Sequence, residues 1–156
     1  MRYIMFLLIC CASLAGKGQN MELNQLKSVI GRPVTSITDS LVKKGWSVRP
    51  ELSDIQGNQL YQTFSFGSLK KEDARALSWF RIHADNGVIN QLYYQTPGKD
   101  LFNILLDAIV NSGAEKKELK NIEENQVGTY YVSTDFIYET IMGVDNYTVM
   151  VSKLPD

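Results

Sequence analysis

The dipeptide Asn86-Gly87 constrains this chain more than any other feature. Both residue types accept positive φ, so as a two-residue loop they turn one strand directly back on the next. Strand-like runs flank them, at residues 77–84 and 88–95. The loop places Asp85 opposite Val88. Regular pairing then sets Ile82 opposite Gln91, Phe80 opposite Tyr93 and Trp79 opposite Tyr94. Alternate residues of a strand share a face. One face of the hairpin therefore holds Phe80, Ile82, Ala84, Ile89 and Tyr93. The other holds Trp79, Arg81, His83, Asn90, Leu92 and Tyr94. With helices on the first face, the second presents Trp79, Leu92 and Tyr94 beside Arg81. Trp, Tyr and Arg carry most of the energy of protein interfaces, because they bury large areas at low entropic cost. Trp79, Arg81, Leu92 and Tyr94 are thus the candidate binding residues, and the partner they suit is another protein.

The rest of the chain supplies material for a sheet and its cover. After a polar linker at 16–21, residues 22–30 put Leu23, Leu26 and Ile30 on one helical face, and Gly31 and Pro33 end that helix. The spacing predicts a second helix capped by Ser36, with Asp39 three residues on, sharing Ile37 and Leu41 on one face and stopped by Gly45. Trp46 then folds back over its apolar stripe. Leu60, Phe64 and Phe66 fall on alternate positions of a strand. Pro97-Gly98 breaks the sheet, and 100–112 is apolar enough for a helix buried on more than one face. A charged connection at 115–125 leads to strand-like runs at 127–134, 136–142 and 147–154, with Asp145-Asn146 at the last turn.

Helix, three strands, helix, three strands is a repeating layout. It predicts a single α+β domain over 22–156, built from two α-β-β-β halves, 22–96 and 97–156. Neither half can bury its helix and sheet alone, so the halves should form one antiparallel sheet with helices packed on one face.

The amino-terminal stretch reads as an address. Arg2 precedes an uncharged run from Tyr3 to Leu14, and the small residues Ser13 and Ala15 stand where a leader is cut. The run is too short to span a bilayer, which takes about 20 residues. Residues 1–15 are expected to be a signal peptide, and the product periplasmic or secreted, with no stable membrane span. Cys10 and Cys11 are the two cysteines of the chain. Ile9 before Cys10 is a poor lipobox residue, so lipid anchoring at either cysteine is the weaker expectation. Cleavage after Ala15 leaves no disulfide, thiol nucleophile or cysteine metal site.

Residues 30–46, with Ile30-Gly31-Arg32-Pro33, Ile37, Leu41 and Lys44-Gly45-Trp46, resemble the opening of small exported proteins of uncharacterised role in Bacteroidetes. The tandem layout is loosely similar to β-lactamase-inhibitor-protein-like folds. The resemblance implies an exported α+β domain and no activity.

Several chemistries are excluded or disfavoured. Sixteen Lys and Arg against 17 Asp and Glu give a net charge of −1, which offers nucleic acid no footprint. One histidine cannot build a multi-histidine metal site. Ser68-x-x-Lys71 has the spacing of serine acylases, but their companion motifs are missing. His83 and Asp85 share a strand face without a nucleophile fixed nearby in sequence. Glu115, Glu118, Glu123 and Glu124 are interleaved with Lys116, Lys117 and Lys120, which suits ion pairs better than a cation site. Asn146-Tyr147-Thr148 fits a glycosylation sequon but reads as a turn. No catalytic residue, cofactor or metal is expected. The leading expectation is an exported, non-enzymatic protein-binding module: an inhibitor, an immunity-type protein or an assembly factor. A carrier of small apolar ligands or lipids, with Trp46 and 100–112 lining a cavity, is the second. A small hydrolase is the third.

Overall fold

A computed structural model describes residues 20–70, 73–121 and 126–154. The expected leader with both cysteines lies outside the described residues, as do Lys71, Glu123 and Glu124.

The elements run α1 (Leu23–Val29), α2 (Val34–Lys43), β1 (Ser47–Val48), a 3-10 turn at Pro50–Leu52, β2 (Asp54–Gln56), β3 (Gln59–Lys70), β4 (Asp73–Asp85), β5 (Val88–Thr96), α3 (Lys99–Asn111), β6 (Glu115–Asn121), β7 (Val127–Val132), β8 (Phe136–Met142) and β9 (Tyr147–Lys153). All nine strands join one antiparallel sheet. Its order is β1-β3-β4-β5-β9-β8-β7-β6, with β2 also paired to β3. The fold is α+β with the helices on one face of the sheet. The two runs of strands meet at the centre through β5 and β9, the last strand of each. Each run carries pairing beyond three strands at its outer edge: β1 and β2 on one side, the charged β6 on the other.

The helices are set by local chemistry only in part. Leu23, Leu26 and Val29 form the buried stripe of α1, Val29 taking the place expected for Ile30, which is the half-buried C-cap, and Gln25 closes the first turn by accepting from the Glu22 N–H at 2.8 Å. The start of α2 is a correction. The helix begins at Val34, not after Ser36, whose hydroxyl donates back to the Pro33 carbonyl. No side chain caps it. The Val34 N–H donates instead to the Gly87 carbonyl at 3.0 Å, and Gly31 and Arg32 exchange backbone bonds with Ile89. The α1–α2 linker is thus an extra pairing segment on the hairpin, and the sheet satisfies an N–H that a cap would otherwise serve. A second correction concerns α3. It buries one stripe, Phe102, Leu105 and Ile109, and leaves Ile104 62% and Val110 51% exposed.

The core lies between the helices and the inner sheet face, around Phe64, Phe80, Ile82, Leu92, Tyr94, Tyr138, Val149 and Val151. Trp46 folds over the end of α2 as expected. Its ring meets those of Phe66, Phe80 and Tyr94 at 5.3–6.4 Å. It fills the core there instead of lining a ligand cavity.

Candidate functional site

The hairpin turn has the expected form, with φ of 50° at Asn86 and 77° at Gly87, and Asp85 opposite Val88. One step further the pairing departs from the regular register. Ala84 pairs Ile89, but His83 pairs Gln91, so Asn90 is an extra residue, a β-bulge. Beyond it Ile82 faces Leu92, Arg81 faces Tyr93, Phe80 faces Tyr94 and Trp79 faces Gln95. One residue of offset reverses the face of everything after it.

This corrects half of the candidate set. Leu92 and Tyr94 are fully buried in the core. The Tyr94 hydroxyl meets the backbone of Met21 and the Ser78 side chain, and burial first of all pushes its pKa up to about 12. Trp79 and Arg81 do lie on the outer face, and Tyr93, Gln91 and Gln95 join them there in place of the buried pair. Sequence reasoning missed Tyr93 because a single-residue bulge leaves no periodic signal.

The register carries the outer face across the whole sheet. Thr63 and Ser65 stand beside Arg81 and Trp79 on β3, while Met150, Glu139 and Tyr130 continue the face over β9, β8 and β7. Met150 is 4% exposed yet stands apart from the core cluster, between its register partners Tyr93 and Glu139. The face is therefore packed side by side, with an apolar centre and, among the described residues, no helix over it.

Around Trp79 the geometry is specific. The Arg49 guanidinium lies 5.9 Å from the Trp79 ring centroid, and its Nε donates to Ser65 Oγ at 2.7 Å. Arg81 Nε donates to Thr63 Oγ1 at 2.9 Å, and its Nη2 donates to the Leu52 carbonyl at 3.2 Å. Thr63 and Ser65 are buried and small, so they leave room for both guanidiniums above the strand. A depression of about 270 Å³ opens here, lined by Leu52, Thr63, Trp79, Arg81, Tyr93 and Gln95. Beside it His83 is held between the rings of Tyr61 and Tyr93, at 4.6 and 5.1 Å. Burial holds the His83 pKa below its ordinary 6.5. A hydrogen bond to Gln91 opposes that shift, and the charge of Arg81 adds to it. Burial also raises the Tyr93 pKa, with the Glu139 charge acting in the same direction.

The other expected features resolve into local structure. Ser68 sits in strand β3, not on the helical turn that the Ser-x-x-Lys spacing would need. His83 bonds Gln91, while Asp85 accepts from the Asn86 amide. Glu115 pairs with Lys117 on the edge strand. Asn146 closes the β8–β9 turn through a bond from the Gly143 N–H to its carbonyl. Among the described residues no group of three or more His, Cys, Asp or Glu could hold a metal, and no helix is long and apolar enough to cross a membrane. On the opposite side of the sheet, α1 and α3 frame a groove of about 450 Å³ edged by Leu23, Lys27, Leu101 and Ile104. The chain matches no protein-family model, no curated protein and no solved structure.

Proposed function

We propose that this chain is an exported, non-enzymatic module that binds another protein through its outer sheet face, centred on Trp79, Arg81 and Tyr93. The observation that carries the reading is asymmetry. Among the described residues three helices cover one side of the sheet, and the other side displays an aromatic and arginine cluster in which Ser65 anchors Arg49, Thr63 anchors Arg81 and Tyr61 packs on His83. Anchors fixed before binding lose less entropy when a partner arrives. Edge-to-edge growth of the sheet fits less well, because the lysine-rich β6 protects one end and the short β1 and β2 the other. Export supplies the setting: the uncharged run before Ala15 suits a leader, and a thiol-free product suits an oxidising compartment.

Two experiments test this. Amino-terminal sequencing of protein from the cell that makes it should begin at Gly16; an intact Met1 refutes export. A photo-crosslinking side chain placed at Tyr93 should give one discrete adduct in that cell, and the same group at Ile104 on α3 should give none. Trp79→Ala should weaken the partner at least about tenfold, roughly 1.4 kcal/mol or more. Equal crosslinking from both positions, or unchanged affinity, refutes the docking face.

A further inference from the structure

We propose that the depression around Arg81 is a socket for a single carboxylate, an Asp or Glu side chain of the partner protein. This rests on the docking-face reading and names what the face recognises.

The argument begins with where the charges go. Arg81 is held by two neutral acceptors, Thr63 Oγ1 and the Leu52 carbonyl. A guanidinium carries five N–H donors in a planar fork, so these two bonds orient it and leave donors for a ligand. Among the described residues Arg81 makes no ion pair. Three acidic groups on the surrounding segments are engaged elsewhere. Glu51 lies 3.7 Å from Arg49. Asp54 accepts from the Ile55 N–H and the Gln56 amide. Asp85 accepts from Asn86. Glu139 shares the outer face but lies three strands from Arg81, across Tyr93 and Met150, roughly 14 Å away and beyond ion-pair reach.

The stoichiometry of charge selects the ligand class. Thr63 and Ser65 are two apart on β3, which places the two anchored guanidiniums roughly 7 Å apart along the strand. Glu51 offsets Arg49, so the site presents one uncompensated positive charge. That suits a monoanionic carboxylate, whose two oxygens match the fork, better than a phosphate dianion. The walls agree. Leu52, Trp79 and Tyr93 offer apolar and aromatic surface to the methylene stem of an acidic side chain, and Gln95 completes the lining. A basic ligand would meet the Arg81 charge directly.

The test uses the purified chain from residue 16 and the peptide acetyl-Gly-Phe-Glu-Gly-amide, with its Gln counterpart and inorganic phosphate as the other arms. The readouts are the Arg81 Nε–H resonance and the imidazole of His83, the one histidine in the chain. The Glu peptide should bind saturably at pH 7 and about tenfold tighter than the Gln peptide, and its affinity should fall as salt is raised. Arg81→Gln should abolish the difference between the peptides. Arg81→Lys should keep part of it, since charge remains but the fork is gone. Equal binding of both peptides, tighter binding of phosphate, or an unchanged preference in a folded Arg81→Gln chain overturns the proposal. If the peptides fail while Trp79→Ala still loses the crosslinked partner, the socket is wrong and the docking face stands. If the peptides behave as expected while Tyr93 crosslinks nothing, the socket stands and the protein partner does not.

Discussion

Deleting single residues from β5 tests the register on which the whole face depends. Asn90 is the unpaired residue of the bulge and is exposed. Without it Ile89 still meets Ala84, Gln91 still meets His83, and Leu92 and Tyr94 keep their core positions. The deletion exchanges a bulge for a regular ladder and should change stability by no more than about 1 kcal/mol. Deletion of Tyr93, three residues on, is predicted to be costly. The strand can absorb it only by surrendering the bulge: Leu92 moves to the outward site opposite Arg81, and Gln91 enters the core opposite Ile82. Leu92 is fully buried, and exposing it costs about 2–3 kcal/mol. Burying an unpaired amide adds about 1–3 kcal/mol. The total, about 3–6 kcal/mol, is a large share of the 5–15 kcal/mol typical of a domain. Urea denaturation followed by the fluorescence of the buried Trp46 would measure both. Equal losses, or a larger loss on removing Asn90, would refute the bulge and with it the placement of Tyr93 on the outer face.

Three further outcomes follow from buried or packed groups. The Tyr138 hydroxyl is buried with no hydrogen-bond partner among the described residues, so Tyr138→Phe should raise stability by about 1 kcal/mol in urea melts, and a loss of that size would show a hidden partner. Tyr94 has a raised folded pKa, so the folded state holds its proton longer than the unfolded chain does. Its contribution is complete below pH 10 and lost as pH rises toward 12, by about 3 kcal/mol at most. Urea melts at stepped pH should therefore show the wild-type advantage over Tyr94→Phe shrinking across that range, and a constant gap would contradict the burial. For His83 the sign is opposite. Its folded pKa is depressed, so stability is lost as pH falls below about 6.5, and the imidazole NMR midpoint should lie under that value and rise in Arg81→Gln. A midpoint above 6.5 would contradict a desolvated ring beside Arg81.

What could be read from the sequence was whatever obeys a local rule. Asn86-Gly87 fixed a hairpin because few residue pairs accept two positive φ angles in succession. Leu23 and Leu26 on the buried side of α1, the Trp46 fold-back and the alternation along β3 rest on side-chain periodicity, which the chain writes out in order. Tertiary structure decided the rest, because the deciding partners are distant in sequence. The Gly87 carbonyl, not Ser36, satisfies the first N–H of α2. The bulge at Asn90 moves Leu92 and Tyr94 into the core and Tyr93 out. A strand of period two has no tolerance for one extra residue, and local sequence does not record where it is inserted. Arg49 and Arg81 stand 32 positions apart, and only the pairing of β3 with β4 and with the segment before it brings both beside Trp79.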